Sequence, residues 1–300
     1  MTASALSVET CDSLIVERGK IREFMSSLGS TDVVHRSVDA ARKAGFPDIP
    51  APPTFSRCYG FFEPRLGSLL GLDPSRVVVG GYRWDCSGTL VAGRSYQVSR
   101  SEVERTLKQG RRGGQMELYT VTTSLSEDPR GQVLAERMTI IHSQVAVGDS
   151  ARERDSRPAG SGDESGPLPD PPPIRTVVLG PITSEDCARY AGATGQFNPV
   201  HYDLGAAHAA GMAAILVPGV YIGSVLLNWM ITVGSLAGLE TVEMRFRHAV
   251  WGGETLRLNV GPLTQDPHIE GETQSGWAVN GQGIVVATVE ATYGTISRSL

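Results

Sequence analysis

Six consecutive residues in the second half of the chain, Gln196-Phe-Asn-Pro-Val-His201, include the side chains best suited to chemistry. His201 is the one titratable group among them, and an imidazole can take up and then release a proton near neutral pH. Gln196 and Asn198 can only donate, accept and orient hydrogen bonds. The segment therefore predicts acid–base chemistry at His201, with the two amides as orienting groups.

Each of these residues also has a structural interpretation. An isolated histidine in a loop is more often a hydrogen-bonded structural residue than a catalyst, and Asn198-Pro199 favours a turn by itself. Gln196 is compatible with an inactive site as well as with an altered one. The residue types alone leave these alternatives open.

The elements that must position His201 occur twice in the chain. Gly29 to Pro52 aligns without a gap with Gly195 to Pro218, and nine of the 24 positions are identical. The spacing is 166 residues, the difference between His35 and His201, which is too long for a solenoid repeat. We interpret the chain as two copies of one unit.

Each copy shows helical patterns followed by consecutive β-rich runs. In the second copy we predict a strand over 174–180, a short helix with Ser184 as N-cap that runs through Tyr190, a small-residue helix near 205–210 and a long apolar helix from Gly219 to Val233. Strands are predicted over 241–250, 254–262, 269–279 and 284–293, and in the first copy over 77–85, 94–104, 115–126 and 132–144. This order predicts an α+β unit in which a sheet wraps a central helix.

A stretch rich in small and polar residues separates the copies. Between 147 and 173, 14 of 27 residues are Gly, Pro or Ser, which predicts a disordered linker. The domain boundaries are therefore 1–146, 147–173 and 174–300. Duplicated units with exposed edge strands gain by pairing them, so we expect one continuous sheet and an internal pseudo-dimer. The whole chain is then either a monomer or a homodimer.

Charge and cysteine usage exclude several classes. Residues 1–146 carry 18 Lys and Arg against 16 Asp and Glu, and residues 174–300 carry 6 against 10, so no basic footprint for nucleic acid is present. Four scattered cysteines and the absence of a signal-peptide pattern favour a reduced, cytoplasmic setting without a metal site. The charge-free segment 211–239 is interrupted by Pro218 and Asn228, which favours a buried helix over a membrane span.

Two further segments add to the pattern around His201. The residues directly before the loop are Tyr190-Ala-Gly-Ala-Thr-Gly195. The second segment lies downstream and reads Arg245-Phe-Arg-His-Ala-Val-Trp-Gly-Gly-Glu-Thr-Leu256. Together they resemble the signature of the MaoC-like, (R)-specific enoyl-thioester hydratases and dehydratases of the hotdog superfamily. Ala51-Pro-Pro-Thr54 and Arg111-Arg-Gly-Gly114 are similar to the N-terminal domain that accompanies many of them. The resemblance implies a double hotdog fold.

The resemblance also implies the chemistry. In that family an Asp and a His hold the reacting water, an Asn orients them, and a backbone N–H at the start of the hotdog helix polarises the thioester oxygen. His201, Asn198 and Gly219 match these positions. The implied ligand is an acyl thioester of coenzyme A or of an acyl carrier protein, and no cofactor is implied. The substrate-binding residues that we expect are Tyr190, Phe197, Val220, Arg111 and Arg112, the last two for phosphate.

One position departs from the family, because Gln196 stands where the Asp is expected. A carboxamide cannot take a proton from water at neutral pH, so His201 must act alone or the reaction has changed. We expect Gln196→Asp to restore the missing partner and to raise hydration of a simple crotonyl thioester. The alternatives are a cyclase or other tailoring enzyme of polyketide-type biosynthesis, and a non-catalytic acyl-binding subunit. Asp32 and His35 form a secondary candidate pair in the first copy.

Overall fold

The computed structural model describes residues 13–62, 70–73, 76–109, 115–143, 171–231, 236–265 and 271–294. The predicted phosphate contacts Arg111 and Arg112, and the predicted linker up to residue 170, lie outside these ranges. The helices are α1 (Arg18–Ser27), α2 (Val38–Lys43), α3 (Ser184–Thr194), α4 (Leu204–Ala209) and α5 (Gly219–Ile231). Turns of 3₁₀ helix span Val33–His35, Pro53–Phe62, Pro199–His201 and Leu236–Gly238.

Long antiparallel strands make up most of the remaining structure. They are β1 (Leu14–Ile15), β2 (Pro50–Ala51), β3 (Val77–Cys86), β4 (Leu90–Val91), β5 (Ser95–Arg100), β6 (Glu104–Gln109), β7 (Gln115–Glu127), β8 (Gly131–Ser143), β9 (Arg175–Leu179), β10 (Leu239–Phe246), β11 (Leu256–Gln265), β12 (Glu272–Val279) and β13 (Val285–Tyr293). Eleven strands form one sheet in the order β1-β5-β7-β8-β3-β10-β13-β12-β11-β9, with β6 also paired to β7, and β2 pairs β4 separately.

The two copies meet in the middle of this sheet. Strand β3 of the first copy runs antiparallel to β10 of the second, with Asp85 opposite Thr241 and Gly81 opposite Arg245. Gly81 is needed at the seam, because a side chain there would collide with the carbonyl oxygen of Met244. The predicted α+β pseudo-dimer, with two sheets joined into one, is confirmed.

The internal repeat extends further than the sequence identities indicated. Helices α1 and α3 begin at positions that differ by the repeat spacing, and so do α2 and α4 and the two 3₁₀ turns that end at His35 and His201. Gly29 and Gly195 follow α1 and α3 with φ of 66° and 69°, a left-handed conformation that glycine adopts without steric cost. The same backbone therefore delivers both histidine loops.

The charge-free segment forms the buried core of the second unit. Helix α5 packs against β10, β11, β12 and β13, and Leu226, Leu227 and Met230 on it are fully buried. Each such side chain contributes roughly 1.5–3 kcal/mol by leaving water. Within the described residues, no helix is both long and apolar enough to cross a membrane.

Three local expectations were wrong. Thr183, not Ser184, caps α3: its hydroxyl accepts from the Asp186 N–H while the Asp186 carboxylate accepts from the Thr183 N–H, and this reciprocal pair fixes the helix start one residue earlier. The helix also continues to Thr194, beyond the expected Tyr190. The expected strand over 94–104 ends at Arg100, and β6 begins at Glu104.

Candidate active site

His201 ends a short 3₁₀ turn and is fixed by its ring. Its Nδ1 lies 2.5 Å from the backbone carbonyl oxygen of Leu216, and the side chain is half-buried. A carbonyl oxygen only accepts, so Nδ1 carries the proton and Nε2 is the basic nitrogen of the neutral ring. The contact therefore gives His201 the tautomer that a general base needs.

The loop before His201 is held by its own backbone. Gly195 ends α3, the Asn198 N–H donates to the Gln196 carbonyl at 2.9 Å, and the His201 N–H donates to the Asn198 carbonyl at 3.1 Å. Pro199 occupies the first position of the 3₁₀ turn, where a missing N–H costs nothing. The sequence Gly-x-x-Asn-Pro-x-His thus folds into one compact loop that carries all three predicted polar groups.

The segment that contains Leu216, whose carbonyl contacts the His201 ring, leads directly to α5. The Leu216 N–H donates to the carbonyl of Val200, Leu216 forms a bridge with Trp251, and the Val217 N–H donates to the carbonyl of Val250. The turn after β10 therefore holds the backbone in place at Leu216, two residues before Pro218. This explains why the downstream segment belongs to the same site as the His201 loop.

Helix α5 begins at Gly219, directly after Pro218. The first N–H groups of an α-helix have no acceptor within the helix and carry positive potential, so they suit a developing oxyanion. A side chain at position 219 would collide with the Phe246 ring, with the nearest ring carbon 2.7 Å from the added Cβ. Glycine thus lets Phe246 cover the start of the helix closely.

Gln196 meets a cation from the other half of the chain. When the amide is oriented with its oxygen towards Arg57, this oxygen accepts hydrogen bonds from Arg57 Nε, at 2.8 Å, and from Arg57 Nη2. Arg57 lies on the 3₁₀ segment Pro53–Phe62 and is 7% exposed. The position that carries an acid in the resembling family is therefore an amide held by a buried guanidinium.

Arg57 is also part of a buried ion pair. Its Nη1 bonds to Glu136 of β8, and its guanidinium lies 5.0 Å from the centre of the Tyr82 ring. The Glu136 carboxylate also accepts from Ser56 Oγ and, at 3.3 Å, from Trp84 Nε1. The charges of Arg57 and Glu136 compensate each other inside the first unit, next to the second-unit loop.

The three predicted substrate-binding residues that are described lie in different surroundings. Tyr190 is 1% exposed, with its ring 5.3 Å from that of Tyr221, and burial raises the pKa of its phenol far above the usual value. The hydroxyls of Tyr190 and Ser224 are both buried. Val220 is buried at the start of α5, whereas Phe197 is 55% exposed.

The secondary pair in the first unit, Asp32 and His35, has the same backbone arrangement, but its histidine is buried. His35 Nδ1 lies 2.8 Å from the Pro50 carbonyl oxygen, the counterpart of the His201–Leu216 contact. His35 is 2% exposed, and burial lowers its pKa below the ordinary value despite the opposing effects of the Pro50 bond and Asp32. The Asp32 carboxylate accepts from the Val34 N–H at 2.9 Å and so caps the turn.

Sequence reasoning missed Arg57 and Glu136. A signal for Arg57 was present, since it is the charged residue within an otherwise uncharged run, and its counterpart in the repeat is Gly223. Nothing comparable marked Glu136 in a strand 79 residues further along. The residues that connect the two units were thus the hardest to find.

Comparisons with known proteins agree with this architecture. Residues 6–137 match the FAS1-like dehydratase domain region, and residues 171–268 match the MaoC-like domain. A UPF0336 protein of Leifsonia xyli subsp. xyli is 42% identical over 84 residues, which cover 26% of this chain and 55% of that protein. The chain thus spans about half the length of this curated relative.

Solved structures show the same fold at low identity. A MaoC-like dehydratase from Phytophthora capsici has a TM-score of 0.68 at 15% identity and covers 94% of each chain. A Mycobacterium tuberculosis protein described as having a double hotdog fold has a TM-score of 0.58 at 14% identity, over 96% of this chain and 94% of that one. The chain belongs to the MaoC-like hydratase/dehydratase family, in a form with two hotdog units.

Proposed function

We propose that this protein is a lyase that adds water to, or removes it from, an acyl thioester, with His201 as its general acid and base. The observation that supports this most is the contact between His201 Nδ1 and the Leu216 carbonyl. It makes Nε2 the basic nitrogen and places the ring on the segment that leads to Gly219. A base and an oxyanion-binding helix start are the two groups that the reaction requires.

In the hydration direction, His201 Nε2 takes a proton from water as the water oxygen bonds to the β-carbon of the enoyl thioester. The electron pair of the double bond moves towards the thioester carbonyl, whose oxygen gains negative charge. The N–H groups at the start of α5 stabilise that charge. His201 then returns a proton to the α-carbon, which gives the 3-hydroxyacyl thioester, and dehydration is the reverse.

Residue 196 is what distinguishes this site. The amide of Gln196 orients but does not transfer protons, so His201 carries both proton transfers. The carrier is coenzyme A or an acyl carrier protein, and its phosphates are assigned to cations of the first unit, with Arg111 and Arg112 as the candidates. This division follows from the charge balance, since residues 174–300 contain six Arg and no Lys.

One observation favours a second candidate. Position 196, where ordinary enoyl hydration uses a second proton-transfer group, carries a neutral amide that Arg57 holds. A cyclase needs only one base, which deprotonates a nucleophile for addition to an unsaturated carbonyl within the same molecule. His201 satisfies that requirement without help from residue 196.

A thioester panel tests the proposal. Purified protein is assayed with crotonyl, longer enoyl and 3-hydroxyacyl thioesters, on coenzyme A and on a carrier protein, by the absorbance of the conjugated thioester and by product mass. Hydration or dehydration of at least one thioester, at a rate well above that of His201→Ala, is the expected result. Binding of enoyl thioesters that are recovered chemically unchanged would contradict a lyase and favour an acyl-binding subunit. An isomer of unchanged mass would favour the cyclase.

A further inference from the structure

Arg57 reaches from one unit into the candidate site of the other. Its Nη1 is used by Glu136, whereas Nε and Nη2 point at the side-chain oxygen of Gln196, with the Nε contact at 2.8 Å. The flat guanidinium also lies over Tyr82 of β3, at the seam between the units. Three different groups therefore fix one side chain, and Gln196 is the only one of them that belongs to the second unit.

The charges around Arg57 explain why residue 196 is an amide. The side chains of Arg57 and Glu136 are 9% and 4% exposed, so one buried cation faces one buried anion. A buried charge is tolerated when it is paired and hydrogen-bonded, and an additional unpaired charge is costly. A carboxylate at position 196 would add a second anion that competes for the same guanidinium. The neutral oxygen of Gln196 accepts from Nε and Nη2 of Arg57 without adding charge.

We propose that Arg57 is a positioning residue for the second-unit site. By occupying the oxygen of Gln196, it leaves the amide NH₂ as the group that residue 196 offers to the site. Residue 196 then acts as a hydrogen-bond donor to a reacting oxygen, not as a base. This inference rests on the proposed function, but the contact on which it depends can be tested without activity.

The proposal changes the expectation for a carboxylate at position 196. A guanidinium at hydrogen-bonding distance favours the ionised form of a carboxyl group and lowers its basicity. Gln196→Asp or Gln196→Glu alone would therefore not restore an effective second acid–base group. Hydration of crotonyl thioester should not rise in either variant.

A cycle of unfolding measurements tests the contact. Glu136→Gln leaves Arg57 without its anion, and the isosteric Gln196→Glu adds a second anion, so each should lower Tm. Glu136→Gln combined with Gln196→Glu only moves the carboxylate to the other side of the same guanidinium. The double variant should therefore regain most of the Tm lost in the single variants. Gln132→Glu, at an exposed position of β8, is the control for an added negative charge.

Additive losses of Tm in the double variant, or an unchanged Tm in Gln196→Glu, would show that residue 196 does not depend on Arg57 and would overturn the inference. This outcome is independent of catalysis. If the thioester panel shows no turnover by the wild type while the cycle shows recovery, the proposed function fails and the contact stands.

Kinetics then test the positioning role itself. Arg57→Gln combined with Glu136→Gln removes both charges together, so no buried ion is left unpaired. Loss of hydrogen bonds to a charged donor costs about 1.5–3 kcal/mol, which corresponds to a decrease in kcat of about 10- to 100-fold with KM little changed. Arg57→Lys should also have a kcat below that of the wild type, because a lysine ammonium lacks the planar, forked N–H donors of a guanidinium. An unchanged kcat in the charge-free double variant would refute the role.

Discussion

The two histidine turns allow catalysis and structure to be separated within one molecule. His201 and His35 each lie at the end of a 3₁₀ turn and each contact the carbonyl fifteen residues ahead, at 2.5 and 2.8 Å. Asparagine can place its amide nitrogen near the position of Nδ1, but it has no counterpart of Nε2. His201→Asn and His35→Asn therefore keep the structural bond and remove only the second ring nitrogen.

The expected losses differ in kind. General acid–base catalysis typically contributes 10²–10⁴-fold, so His201→Asn should reduce kcat by about that factor while its Tm stays near that of the wild type. His35→Asn should leave kcat close to the wild-type value. His35→Ala should cost about 1–3 kcal/mol, because it removes a buried ring and leaves the Pro50 carbonyl without its donor.

The assay pairs turnover of the thioester identified in the panel with thermal unfolding of the same preparations. A loss of about 1–3 kcal/mol lowers Tm by roughly 2–4 °C per kcal/mol in proteins of 150–250 residues, which calorimetry resolves. If His201→Asn keeps full activity, or if His35→Asn loses as much activity as His201→Asn, the assignment of His201 as the acid–base group is refuted.

Further predictions concern stability. Gly81→Ala should lower Tm by several degrees in calorimetry, because its Cβ would collide with the Met244 carbonyl at the seam, and an unchanged Tm would contradict this close approach. Gly192→Ala, with open space around it in α3, should instead gain about 0.5–1 kcal/mol. Hydrogen bonds, first from Tyr119, hold the pKa of Glu117 at about 2, below its ordinary 4.5. Its stabilisation is therefore complete above pH 4.5 and is lost towards pH 2, so the Tm difference between wild type and Glu117→Gln should narrow from pH 6 to pH 3; a constant difference would argue against it.

Local sequence patterns predicted most of the fold because the determinants are local. The β-rich runs identified the long strands, and the gapless repeat identified two equal units whose edges were expected to pair. The errors arose where short-range hydrogen bonds decide, as at Thr183, whose exchange with Asp186 sets the start of α3. A pattern of apolar residues does not contain that information.

The site was only partly predictable for a different reason. The loop that ends at His201 and the helix that begins at Gly219 are close in sequence, so the repeated segment identified both. The hydrogen-bond partner of Gln196 is Arg57 in the other unit. A periodic sequence pattern describes a single helix or strand and does not reveal a contact between residues of different units. The sequence therefore indicated that residue 196 departs from the family pattern, but not that its side chain contacts Arg57.

The contact with Arg57 follows from how the copies diverged. In the second unit the equivalent of Arg57 is Gly223 on α5, where an added Cβ would lie 2.4 Å from the sulfur of Met244. In the first unit the same position carries a long cation that extends towards the partner unit's loop. One copy has thus kept the half-buried histidine, and the other has buried its own histidine and supplied a charge across the interface. Substitutions in the first unit at position 57 should consequently alter the chemistry that we propose for His201.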